Sequence, residues 1–128
     1  MRLTHTASFL AISAAALLAA CAGNGATSPL PYCTAMRPIA ISISVRDSVT
    51  QEAAADSATG SLFSVHGTET LLRVDTLTLF GGSQLGSYDV AVQRPGYRTW
   101  SRANVQVTKI GFCGNPETVL LTAKLQRP

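Results

Sequence analysis

From Ile39 onward the chain alternates. Ile39, Ile41, Ile43 and Val45 share one phase, with small or polar residues between them, the period-two signature of a strand with one buried face. The same period returns at Tyr88, Val90 and Val92 within residues 87–93, and at Val119, Leu121, Ala123 and Leu125 near the C-terminus. Residues 61–66 and 97–110 read as further extended segments, the second with Val105 and Val107 alternating. Residues 71–80 carry Leu72 and Val74 on one phase but Leu77 and Leu79 on the other, a change that marks a bulge or a break. Turn chemistry separates these runs: Gly81-Gly82-Ser83, Arg94-Pro95-Gly96, and residues 111–116. Residues 48–60 are turn-rich, and Glu52-Ala53-Ala54-Ala55 within them is at most one helical turn, too short to stand alone. No helical stripe is sustained between 39 and 126. Six or seven short strands at turn-separated spacing predict an all-β fold, a sandwich or a small barrel.

The N-terminal end follows another pattern. Met1 to His5 carries one Arg, and an alanine-rich apolar run with Phe9, Leu10, Ile12, Leu17 and Leu18 extends to Ala20. That run is short for a bilayer span, which takes about 20 apolar residues. A basic start, a short apolar centre and small residues at its end describe a secretory signal, a helix that is removed on export. Residues 22–32, AGNGATSPLPY, have Gly, Pro and small residues without period, as a flexible tether does. Eleven such residues span on the order of 20 Å.

Leu18-Ala19-Ala20-Cys21 resembles the lipobox of bacterial lipoproteins: Leu, two small residues, Cys. The resemblance implies cleavage before Cys21 and lipid on its thiol and new amine, with the acyl chains as a membrane anchor. The competing reading is an ordinary secretory signal ending in Ala-x-Ala at Ala20. Residue 22 is Ala rather than Asp, and Asp there retains lipoproteins of enteric bacteria at the inner membrane, so the resemblance implies passage to the outer membrane. The expected location is therefore the cell envelope, on the periplasmic face of the outer membrane or exposed on it. The expected organisation is a signal over residues 1–20, a lipid-anchored tether over 21–36, and a domain over 37–128.

Composition narrows the function classes. The 128 residues are only 13% charged and carry net +3, which becomes +2 when Arg2 leaves with the signal. The basic residues stand singly from Arg37 to Arg127, without the clusters that a nucleic-acid partner requires. A folded unit of about 90 residues buries a modest core and benefits from a covalent staple. Cys33 and Cys113 remain when Cys21 is lipidated. They are too far apart for a Cys-x-x-Cys motif, and in an oxidising compartment they suggest a disulfide between the start of the domain and the loop before its last strand. Two buried free thiols, or a redox-active or metal-binding pair, are the alternatives.

Gly86-Ser87-Tyr88-Asp89-Val90-Ala91-Val92, followed by Arg94-Pro95-Gly96-Tyr97, resembles the Gly-x-Tyr-x-Val-x-Val…Pro-Gly-Tyr signature of carboxypeptidase regulatory-like domains. Val45-Arg46-Asp47 and the turn after it are similar to the first strand and loop of that family. The resemblance covers residues 39–126. It implies a seven-stranded prealbumin-like (transthyretin-like) β-sandwich, an accessory module without peptidase chemistry. One enzyme group shares that fold, the transthyretin-related hydrolases, which use several His and Arg residues and a C-terminal Tyr-Arg-Gly-Ser. This chain ends Lys124-Leu125-Gln126-Arg127-Pro128 and keeps one His, His66, past the signal.

No other catalytic pattern stands out, and the expectation is a non-enzyme without cofactor. One His and two paired Cys fall short of a zinc site. His66 with Asp75 or Asp89 lacks a Gly-x-Ser-x-Gly nucleophile. Asp47, Asp56, Asp75 and Asp89 are spread along the chain without a calcium-loop or glycosidase signature. The Gly81 to Gly86 loop lacks the Lys and following helix of a phosphate loop. The one candidate recognition cluster is Tyr97, Arg98, Trp100 and Arg102, with Arg98, Trp100 and Arg102 on one face of an extended strand and Tyr97 on the other. Aromatic rings stack on sugars, and Arg pairs with carboxylate or phosphate. Against that, Trp100 would pack over the sandwich edge between snorkelling arginines. The partners expected are the membrane, through the anchor, and another envelope protein or a glycan, with strand addition at an open sheet edge as one route.

Overall fold

The structure, a computed structural model, describes Cys33 and residues 38–128. The signal over residues 1–20, the Cys21 anchor and nearly all of the tether lie outside the described residues. What is described is all-β, in ten strands: β1 (Ile41–Asp47), β2 (Thr59–Ser64), β3 (Gly67–Thr70), β4 (Leu72–Arg73), β5 (Thr78–Gly81), β6 (Gly86–Gln93), β7 (Trp100–Val107), β8 (Lys109–Ile110), β9 (Asn115–Pro116) and β10 (Val119–Leu125). One sheet has the order β10-β1-β5-β4, a second β3-β2-β6-β7, and β8 and β9 form a separate hairpin.

Period-two patterning sets which side chains face inward. In β1, Ile41, Ile43 and Val45 are fully buried while Ser42, Ser44 and Arg46 are not. The first and last strands pair in parallel, with Ile43 beside Leu121, Val45 beside Ala123 and Asp47 beside Leu125, so their buried positions coincide. Leu79 of β5 joins them from the antiparallel side. The second sheet contributes Leu62, Tyr88, Val90, Val92, Val105 and Val107, and these two sets pack as one core. Two four-stranded sheets thus face each other across shared apolar side chains, a sandwich-like arrangement.

The sheets are joined at both sides. On one, the chain leaves β3 and turns through Leu71 into β4. The Leu71 amide donates to the Gly60 carbonyl at 2.8 Å while its side chain is buried. That side chain occupies room left by a glycine from each sheet. A methyl added at Gly60 would run into Leu71 Cδ1, and one at Gly81 would stand 2.9 Å from Cδ2. On the other side β7 approaches β10, where the Arg98 amide donates to the Gln126 carbonyl at 2.8 Å.

Several local expectations resolve differently. The phase change in residues 71–80 is a true break: β4 turns back on β5, and Asp75 Oδ1 accepts from the Leu77 and Thr78 amides inside the turn. Residues 52–55 form no helical turn. Ala53 bridges Arg46, and the amides of Ala54 and Ala55 donate to the carbonyls of Val45 and Thr76. Alanine has no bulk to prevent so close a pass, and Ala54 and Ala55 end fully buried. The extended segment 97–110 is interrupted. Tyr97 to Thr99 precede the strand, and a bulge interrupts the β6–β7 register after Tyr88. There Asn104 takes a φ of 58° and its amide donates to Asp89 Oδ1.

Candidate functional site

The most elaborate polar cluster lies at the end of the sandwich where β1, β10 and the turn before β7 meet. Asp47 continues the inward phase of β1, so its side chain is only 7% exposed. Oδ1 accepts from the backbone amides of Val49 and Thr50 at 2.8 and 3.0 Å, which fixes the turn that leaves β1. Oδ2 accepts from the Tyr97 hydroxyl at 2.8 Å and faces Arg127 Nε at 3.5 Å. Arg127 also donates to the Tyr97 oxygen at 3.2 Å. The guanidinium groups of Arg94 and Arg127 stand over the Tyr97 ring, 5.1 and 5.4 Å from its centre. The Thr50 and Val49 amides, the Tyr97 hydroxyl and the Arg127 charge together outweigh burial and lower the Asp47 pKa from 3.8 to about 2. Both Asp47 oxygens and the Tyr97 hydroxyl are committed, which suits a structural clasp better than a reacting centre.

The clasp takes Tyr97 out of the predicted recognition cluster. The remaining members divide. β7 begins at Trp100, and Trp100 and Arg102 stand opposite Val92 and Val90 on the inward side of an edge strand. Trp100 is half-buried and packs against the core, whereas Arg102 is exposed. Arg98 precedes the strand, its amide held by Gln126. Between the β7 and β10 edges lies a cavity of about 290 Å3 lined by Arg98, Thr99, Trp100, Ser101, Lys124 and Gln126. Sequence reasoning found Arg98 and Trp100 but missed Lys124 and Gln126, because periodicity assigns a residue to a face and not to a neighbour on another strand. Asp47 and Arg127 were missed as Tyr97's partners for the same reason. The one available signal was a carboxylate on the inward phase of an otherwise apolar strand.

Cys33 and Cys113 are at disulfide distance, with Cα atoms 5.5 Å apart across 80 residues of chain. The bridge ties the residue before the domain to the turn of the β8–β9 hairpin. His66 sits exposed in the turn between β2 and β3. Among the described residues no three His, Cys, Asp or Glu side chains gather as metal ligands would.

One apolar feature was not anticipated. On the outward face of the first sheet, Leu72 stands beside Phe80, Phe80 beside Ser42, and Ser42 beside Leu120, one residue from each of the four strands in register. Leu120 is 78% exposed and Leu72 61%. Ile39 is exposed near one end of this row, where it lines a shallow cavity with Leu72 and Phe80.

Comparison with protein-family models and with curated proteins finds no match for this chain.

Proposed function

We propose that the chain is a lipid-anchored lipoprotein of the cell envelope whose domain is a non-catalytic accessory module that docks another envelope protein. The observation that carries the docking role is the set of outward apolar side chains Leu72 and Phe80, with Leu120 across Ser42, in one register row of the first sheet. Clustered exposed apolar side chains mark interaction surfaces. The anchor reading rests on Leu18-Ala19-Ala20-Cys21. Support for the prealbumin-like reading comes from the jobs its signature residues hold. Tyr88, Val90 and Val92 are buried in β6, Gly96 adopts a φ of 80° in the turn, and Tyr97 bonds Asp47 of the Val45-Arg46-Asp47 segment.

The test is a photo-crosslinking amino acid at Leu120 in living cells, with Cys21→Ala as the control. A single protein captured by the anchored chain, and lost with Leu72→Asp, is the expected result. Capture of no protein above background, with the chain still in the envelope, overturns the docking role.

A second reading, carbohydrate binding, is favoured by the cavity beside Trp100. It now rests on Trp100 and its neighbours, since Tyr97 is engaged by Asp47.

A further inference from the structure

The cavity between the β7 and β10 edges differs in charge from the rest of this end of the domain. Arg94 pairs with Asp56 at 3.0 Å and Arg127 with Asp47. Arg98 and Lys124 both line the cavity, and among the described residues neither has an acidic partner. No carboxylate lines it. Two cations that line one cavity repel, and an anion bound there relieves that repulsion. Thr99, Ser101 and Gln126 add neutral hydrogen-bonding groups, and Trp100 adds an aromatic surface held by its packing on the core. The frame is fixed as well, because the Arg98–Gln126 backbone bond crosses between the two sheet edges. At about 290 Å3 the cavity is at the small end of ligand sites, which run roughly 300–1,000 Å3, so it suits one ring rather than a chain of them.

We propose that this cavity binds a single sugar residue bearing an anionic group. Arg98 and Lys124 take the charge, Gln126 and Ser101 the hydroxyls, and Trp100 the ring face. The proposal rests on the carbohydrate reading and gives it a chemical class. Carboxylate and phosphate both satisfy two cations, so a uronic acid and a sugar phosphate are the two sources to separate.

Trp100 is the only tryptophan of the chain, so fluorescence excited where the three tyrosines do not absorb reports on this cavity. The purified full chain in detergent is titrated with glucuronic acid, glucose 6-phosphate, glucose and inorganic phosphate, with calorimetry on the same samples to catch binding that leaves the indole unperturbed. Saturable binding of at least one charged sugar is expected, at least tenfold tighter than glucose or inorganic phosphate. It should weaken at least tenfold in Arg98→Ala and in Lys124→Ala, whose exposed side chains leave the fold intact by circular dichroism. Whichever charged sugar binds more tightly identifies the anion. Binding of none of the sugars overturns the proposal and the carbohydrate reading together, whereas binding of glucose without either charged sugar overturns only the proposal. Glucose binding as tightly as the charged sugars overturns the anionic claim and leaves the carbohydrate reading standing. Inorganic phosphate binding as tightly as the sugar phosphate removes the ring from the recognition and also overturns it.

Discussion

The Tyr97 hydroxyl donates a 2.8 Å hydrogen bond to the carboxylate of Asp47, fifty residues earlier in the chain. One end of this bond is the last residue of β1. The other follows the Arg94-Pro95-Gly96 turn that links β6 to β7. The bond therefore adds a polar tie between the first sheet and the turn leading into the second, beside the packing of the Tyr97 ring on the core.

Tyr97→Phe keeps the ring and its two guanidinium neighbours but removes the donor. Asp47 then loses its only hydroxyl partner while remaining largely buried, a cost that exceeds that of a surface hydrogen bond. The thermal midpoint should fall by several degrees, and Asp47→Ala should lower it further because the Val49 and Thr50 amides also lose their acceptor. Differential scanning calorimetry of both variants checks the order.

The Asp47 carboxylate also makes stability depend on acid, chiefly through the Thr50 and Val49 amides, with the Tyr97 hydroxyl adding to them. The Asp47 pKa is lowered from 3.8 to about 2 on folding, so its contribution is complete above pH 3.8 and disappears as pH falls through 2. Asp75, lowered by the Leu77 and Thr78 amides, acts in the same direction. Unfolding midpoints followed from pH 5 to pH 2 should drop steeply in the wild type. In Asp47→Asn the drop should be shallower, from a lower starting value. Equal slopes in the two proteins would mean that other carboxylates govern the acid transition.

What the sequence made legible was orientation rather than partnership. Ile41, Ile43 and Val45, Tyr88, Val90 and Val92, and Leu121, Ala123 and Leu125 are all inward as their period requires, because in a strand burial alternates whatever lies alongside. Period carries nothing about which strand is the neighbour, so the parallel pairing of β1 with β10 was not readable, nor was the cross-sheet meeting of Lys124 with Arg98. β3 was not anticipated at all. Gly67, Thr68, Glu69 and Thr70 are all exposed and contain no apolar residue to alternate. The break near residue 75 did leave a trace, since reversing the chain shifts the phase of the apolar residues.

The Cys33–Cys113 bridge holds an element that has little else to hold it. β8 and β9 pair at only two positions, and Phe112 in their turn is 81% exposed. Closing 80 residues removes about 4–5 kcal/mol of unfolded-state entropy in the chain-entropy model, an upper figure. Cys33→Ser should lower stability by up to that amount in urea. It should also speed amide hydrogen exchange in residues 109–116 before any change appears in β1 or β6. Cys113→Ser should match it, and the double variant should add nothing, since each single change already removes the bond.

The corner at Leu71 makes a separable prediction. Leu71 is buried between Gly60 of β2 and Gly81 of β5, and neither glycine has the positive φ that would demand glycine for conformational reasons. They are there because a methyl would meet Leu71. Gly60→Ala should therefore destabilise by about 1–3 kcal/mol, the range for overpacking a tight core. Leu71→Ala alone should cost about 2–5 kcal/mol through the cavity it leaves. In the Leu71→Ala background the contacts of the added methyl with Leu71 Cγ and Cδ1 disappear, and only the Cβ of residue 71 remains, 3.1 Å away. The Gly60→Ala penalty should then shrink well below its value in the wild type. A double-mutant cycle by urea denaturation measures the coupling directly. A Gly60→Ala cost that is the same in both backgrounds would show that Gly60 answers to something other than Leu71.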